Sequence, residues 1–177
     1  LDRSTPDLNL DVAAIDAFIG QVRARGIVDS NRLYLSGWSN GASMAQLYAM
    51  ITPEVAAAAV YSSPDPFRDI LDSCAQTPFA TSLTPLMTMQ NACDIAGICQ
   101  TGTAFHRDLA QRLPKLQLKT LILDGLKNEG ASCQAACAAQ TLPGNPIGVV
   151  NHLAWPARQN EAMFRWLREH PLSAKPQ

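Results

Sequence analysis

The chain has 177 residues, long enough for one domain with its own hydrophobic core and too short for two comfortable ones. Its residues are 47% apolar and 16% charged, and the net charge of −1 provides no basic field for nucleic acid or for an anionic membrane surface. No apolar run approaches the ~20 residues of a membrane helix.

In chain order, Ser4-Thr5-Pro6-Asp7 reads as a helix start. Behind it Leu10, Ala14, Ile15, Phe18, Ile19 and Val22 recur at helical spacing, and Gly26 ends the pattern. Arg32–Ser36 predicts a short strand. Gly37-Trp38-Ser39-Asn40-Gly41 follows, then a predicted helix over Ala42–Met50 that Thr52-Pro53 stops. The continuous apolar run Ala56–Tyr61 suits a buried parallel strand, with a loop from Ser62 to Pro66 after it. Leu86–Gln90 is the next strand, with Pro85 at its start, where proline is tolerated. Thr103–Leu113 predicts a helix and Leu118–Leu123 a strand. Residues 124–151 read as loop, and a last helix runs from Pro156 through Trp166 to about Glu169. Strands alternating with helices predict one α/β domain over residues 1–177, a mostly parallel sheet with helices on both faces.

Five cysteines stand at 74, 93, 99, 133 and 137. The local spacing of Cys93 with Cys99, and of Cys133 with Cys137, suggests two small disulfide loops, an oxidising compartment and hence secretion. Cys74 is left over, to pair with a cysteine on a segment outside this sequence. The alternative is five reduced thiols in a cytosolic protein. Neither pair has the usual C-x₂-C zinc spacing, and three scattered histidines show no ligand pattern, so no metal or cofactor is expected. The chain opens on Leu1 without a signal-peptide pattern, so an amino-terminal segment is expected to have been removed.

Gly37-x-Ser39-x-Gly41, between a predicted strand and a predicted helix, has the context of a nucleophile elbow. The serine must sit on a tight, strained turn for its hydroxyl to project clear of the sheet. Bulky residues two before and two after it are expected to collide with the strand and helix. The helix that follows presents free N–H groups, which places the Asn40 N–H to donate to an oxyanion. The alternative is a structural glycine-rich turn with an incidental serine.

A serine nucleophile needs a base. His106 falls inside a predicted helix beside Arg107 and reads as a solvated residue, whereas His170 reads as a helix-end residue. His152 lies in a predicted loop after the last strand, the slot that the order Ser, acid, His requires; an ordinary surface-loop histidine is the alternative. For the acid, Asp94 after Leu86–Gln90 is preferred over Asp124, which adjoins Gly125 and can be a turn residue, and over Asp65. Trp38 and Trp155 flank these positions and are candidates for substrate stacking, with buried packing as the alternative.

The run from Asp29 through Asn31-Arg32-Leu33-Tyr34-Leu35-Ser36-Gly37-Trp38-Ser39-Asn40-Gly41-Ala42-Ser43-Met44 resembles the elbow of the polyhydroxybutyrate depolymerase and feruloyl esterase group of α/β-hydrolases. Thr84-Pro85-Leu86 through Asn91-Ala92-Cys93-Asp94 is similar to that group's acid segment, which implies Asp94 as the triad acid, although Gln90-Asn91 stands where the group has His-Gly. His152-x-x-Trp155-Pro156 resembles the histidine segment, with one extra residue before the tryptophan. The resemblance covers about residues 7 to 172 and implies the carboxy-terminal part of an α/β-hydrolase domain, lacking the amino-terminal strands and the second oxyanion donor. It implies a secreted serine carboxylesterase with Ser39, Asp94 and His152 as its triad. The implied ester substrate belongs to a polyester or to a plant polysaccharide, and an amino-terminal segment or second chain is expected to complete the sheet. A serine peptidase of the same fold and a non-catalytic fragment that only binds polymer or a partner are the rival readings.

Overall fold

In the computed structural model, which describes residues 9–67, 82–95, 97–123 and 146–172, Asn9 starts the first helix, α1 (Leu10–Arg23). Its side chain accepts the Asp11 N–H at 2.9 Å, satisfying one donor that the first turn leaves unpaired. The expected start at Ser4–Asp7 lies outside the described residues. Val12, Ile15 and Ile19 turn one stripe of α1 to the core, while Leu10 and Phe18 stay exposed. The first strand, β1 (Tyr34–Trp38), begins two residues later than predicted. Asp29 is the reason: its carboxylate takes the Asn31 N–H and pairs with Arg32, winding Ser30–Arg32 into a 3₁₀ turn.

The remaining elements are α2 (Asn40–Ile51), β2 (Ala57–Tyr61), β3 (Leu86–Asn91), α3 (Ile98–Arg112), β4 (Leu118–Leu123), α4 (Pro146–His152) and α5 (Asn160–Glu169). The four strands are parallel and lie in chain order, β1-β2-β3-β4, with Tyr34 beside Ala57, Ala58 beside Leu86 and Leu86 beside Leu118. All carboxyl ends therefore share one edge of the sheet, where ligands of open α/β sheets bind.

Two apolar clusters sandwich the sheet. Ala58, Val60 and Leu86 pack under α2, α3 and the inner stripe of α1, with Leu47, Met50, Phe105 and Leu109 at the centre. Ala57, Ala59, Tyr61, Met87 and Met89 face the other way, onto Met163 and Leu167 of α5. This is the period-2 alternation of a strand covered on both faces. The architecture is that of an α/β-hydrolase-like fold. β2 is buried throughout, whereas β1, at the sheet edge, keeps exposed positions.

α5 starts at Asn160, four residues after the predicted Pro156, with Ala157–Gln159 wound into a 3₁₀ turn before it, and two other helices also differ from expectation. α3 starts at Ile98, five residues before the predicted Thr103. Gly102, within that added stretch, is there for close approach: a Cβ on it would stand 2.3 Å from both the Ser63 carbonyl oxygen and the Gln90 amide nitrogen. His152, expected in a loop, is the last residue of α4.

Candidate active site

Ser39 joins β1 to α2 with φ 57° and ψ −124°, a region that residues with a Cβ rarely adopt. Backbone bonds hold it there. Its N–H donates to the Tyr61 carbonyl at 3.0 Å, and its carbonyl accepts the N–H groups of Ala42 and Ser43, each at 3.0 Å. A Cβ on Gly37 would lie 2.3 Å from the Gly41 carbonyl oxygen and 2.8 Å from the Ala42 Cα, so strand and helix close only on glycine. Gly41 behaves otherwise: a Cβ there meets nothing within 4 Å. The collision expected on both sides of the serine exists on the β1 side alone, because the open face of Gly37 abuts backbone and that of Gly41 faces free space. Asn40 is the first residue of α2, where a backbone N–H has no carbonyl one turn earlier to bind.

His152 comes from α4, which is bonded to the ends of β1, β2 and β3. α4 has seven residues, too few to stand alone in water, so tertiary bonds hold its end. Tyr61 donates its phenol proton to the Asn151 carbonyl at 3.2 Å, and the Asn91 amide donates to Asn151 Oδ1 at 3.3 Å. The Trp38 indole N–H donates to the His152 carbonyl at 2.9 Å, capping the last turn. Burial pushes the Tyr61 phenol up to about 12; the bond from Asn91 opposes this and the Asp94 charge adds to it, so Tyr61 stays a proton donor at ordinary pH.

The three side chains meet in a line. His152 Nδ1–H donates to Asp94 Oδ1 at 2.7 Å, which leaves Nε2 to accept the Ser39 hydroxyl at 2.9 Å. Asp94 is fully buried just beyond β3. Its Oδ1 also accepts the Ile95 N–H at 2.7 Å, and its Oδ2 accepts the hydroxyl of Ser62. Sequence reasoning passed over Ser62 as a loop residue. Its signal was position: it follows β2 directly, at the same sheet edge that presents Ser39 and Asp94.

The other acid and base candidates do not join the triad. Asp65 accepts the Phe67 N–H at 2.9 Å in a local turn, and Asp124 lies outside the described residues. His170 caps α5, donating from Nδ1 to the Trp166 carbonyl at 2.7 Å. His106, expected to be solvated, is 2% exposed. Its Nε2–H donates to Gln46 Oε1 at 2.9 Å and its Nδ1 accepts the Thr88 hydroxyl at 3.1 Å. Burial pulls its pKa down to about 3. Trp38 is 36% exposed beside His152, their rings 6.2 Å apart. Trp155 is packed instead, edge-on to Tyr61 at 5.8 Å, with its N–H on Asn160 at 2.7 Å. Cys93 and Cys99 are each disulfide-bonded, whereas Cys74, Cys133 and Cys137 lie outside the described residues. Among the described residues no helix is long and apolar enough to cross a membrane, and no cluster of His, Cys, Asp and Glu forms a metal site.

No family model matches the chain, and no curated protein does. Among solved structures, the crystal structure of esterase PE8 is similar at a TM-score of 0.44 and 17% sequence identity, over 77% of this chain and 55% of that one. The chain thus spans about half the length of that structure, at 55%.

Proposed function

We propose that this chain is the carboxy-terminal catalytic part of a secreted serine carboxylesterase of the polyhydroxybutyrate depolymerase and feruloyl esterase type. One observation carries the reading: the Ser39 hydroxyl lies 2.9 Å from an imidazole nitrogen of His152, and the Asp94 carboxylate lies 2.7 Å from the other. In the first step Ser39 Oγ attacks the ester carbonyl while His152 Nε2 takes its proton. Asp94 holds the tautomer and balances the imidazolium charge. The Asn40 N–H donates to the oxyanion. His152 then passes its proton to the departing alcohol. In the second step His152 takes a proton from water, the hydroxide attacks the acyl-enzyme, and Ser39 regains its proton as the acid leaves.

The exposed surface around His152 supports an apolar acyl group or polymer chain as substrate: Trp38 stands beside it, and Val149, Val150 and Leu153 are exposed on and just after α4. Trp155 supports Trp38 from below, their rings 6.5 Å apart. The disulfide state of Cys93 and Cys99 supports secretion. The edge position that β1, which carries the nucleophile, has among the described residues supports a further segment or chain that pairs along Tyr34–Trp38 and supplies the second oxyanion donor.

Ser39→Ala tests the reading. Hydrolysis of a chromogenic ester should fall by about 10⁴–10⁶-fold with the thermal midpoint unchanged, and labelling by a fluorophosphonate probe should vanish. Ester turnover that survives the substitution removes Ser39 from the role. Parallel ester and amide assays on the wild type should show the ester preferred; preference for the amide would make the protein a peptidase.

A further inference from the structure

Asp94 has a second partner whose geometry is as constrained as that of the nucleophile. Ser62 follows β2 directly, is fully buried, and has φ 59°. Only it and Ser39 hold a positive φ among the described residues other than glycine. That conformation is strained for a residue with a Cβ, and glycine would adopt it freely. The Ser62 N–H donates to the Met89 carbonyl at 2.8 Å, extending the β2–β3 ladder one residue beyond the strand. The ladder locks the backbone, and the left-handed turn aims the hydroxyl at the carboxylate. Ser62 Oγ donates to Asp94 Oδ2 and stands 3.3 Å from His152 Nδ1.

We infer that Ser62 is a positioning residue for the reaction proposed above, on which this inference rests. Each oxygen of Asp94 then has its own task. Oδ2 is held by Ser62, so the carboxylate cannot rotate, and Oδ1 stays on the His152 Nδ1–H. The Ser62 proton also compensates part of the charge of a fully buried carboxylate. The titratable groups facing Asp94 from the elements packed around it are His152 at the end of α4 and Tyr61 at the end of β2. The disulfide-bonded Cys93 and Cys99 do not titrate.

Ser62→Gly separates this role from a structural one. Glycine relieves the strained φ, which offsets part of the cost of leaving Asp94 Oδ2 without its donor, so the thermal midpoint should fall less than in Ser62→Ala. The expected result is nonetheless a 10- to 100-fold fall in kcat for a chromogenic ester, with KM within about threefold. The acid limb of kcat/KM should move to higher pH, because the uncompensated carboxylate holds an imidazolium more tightly and accepts a proton more readily itself. Ser62→Ala should show the same shift of the limb whatever its stability, read per active site from fluorophosphonate burst titration. A Ser62→Gly enzyme with wild-type kcat and an unmoved acid limb overturns the inference, as does a loss confined to KM. Ser39→Ala run alongside tells the failures apart: an active Ser39→Ala enzyme sinks the reading of the site, whereas an inactive one beside a fully active Ser62→Gly sinks the role of Ser62 alone.

Discussion

Two histidines in this protein are buried to nearly the same degree and are put to opposite uses. His152 is 8% exposed and His106 is 2% exposed, and each has both ring nitrogens bonded. His106 sits between α3 and the middle of β3, where its partners are a neutral amide and a neutral hydroxyl. Those partners satisfy the uncharged ring fully and offer nothing to a proton. His152 sits at the carboxyl edge of the sheet, between a carboxylate and a hydroxyl. The carboxylate can balance an imidazolium, and the hydroxyl has a proton to give. Burial alone therefore says little about a histidine; the charge of its partners and the end of the sheet it occupies decide what it can do.

Asp94→Asn should break the comparison most severely. A neutral amide cannot balance the imidazolium charge, and kcat should fall by up to about 10⁴-fold with little change in the melting midpoint. Steady-state kinetics beside circular dichroism would read both. A loss below tenfold would mean that Asp94 does no more for His152 than Gln46 does for His106. Gly37→Ala should come next, and through structure. Its Cβ would meet the backbone of Gly41 and Ala42 rather than a yielding side chain, so α2 must shift away from β1. A cost of about 2–3 kcal/mol, read by urea unfolding, should come with loss of the Ser39–His152 bond and of turnover.

His106→Gln should leave turnover per folded molecule unchanged while lowering stability by about 1–3 kcal/mol, since it disrupts the pairing of Gln46 and Thr88. It should also flatten the acid dependence of unfolding. The folded-state pKa of His106 is lowered to about 3, against 6.5 as its ordinary value. Between those two pH values the unfolded chain binds a proton that the folded one refuses. The stability tied to this group is thus complete above pH ~6.5 and drains as the pH falls towards ~3, with a slope of up to about 1.4 kcal/mol per unit. Urea midpoints collected between pH 4 and pH 7 should lose that slope in the variant; an unaltered slope would show that His106 is not the group responsible.

These contrasts also mark where the sequence was readable. The elbow was legible because a strand, a tight turn and a helix must follow one another directly, and local physics writes all three into adjacent residues. β2 was legible because an unbroken apolar run of this length, stopped by Ser62, admits few alternatives. His106 was misread although the signal existed: Cys99, Gly102, His106 and Leu109 share one helical stripe, but a helix read as starting at Thr103 leaves out the first two of them. α4 was illegible for a different reason. Its own propensity is poor, and bonds from Trp38, Tyr61 and Asn91, distant in the chain, hold it together. Ser62 was missed because a serine after a strand is ordinary; only the fold brings it against Asp94.

Trp38→Phe should sharpen the account of how His152 is held. Phenylalanine keeps the ring and deletes the N–H that caps the His152 carbonyl at 2.9 Å. If Trp38 acts mainly by fixing α4, kcat should drop by about tenfold with KM nearly constant. If it acts mainly as a surface for the acyl group, the ring that remains should preserve kcat and the change should fall on KM. Running both a short-chain and an aromatic ester would separate the two.

The smallest expected effect is at Gly41, where a motif position and a steric requirement part company. The motif pairs it with Gly37, yet its missing side chain points into open space, one residue beyond the Asn40 N–H. In the first turn of α2, Gly41→Ala should cost nothing and gain up to about 0.5–1 kcal/mol from lower backbone entropy in the unfolded chain. Turnover of a small ester should stay within about threefold of wild type. The informative deviation is a stable protein with impaired turnover of a bulky ester alone. Space that no protein atom fills would then be the path of the acyl group across the oxyanion donor, and glycine would be at that position for the substrate rather than for the fold.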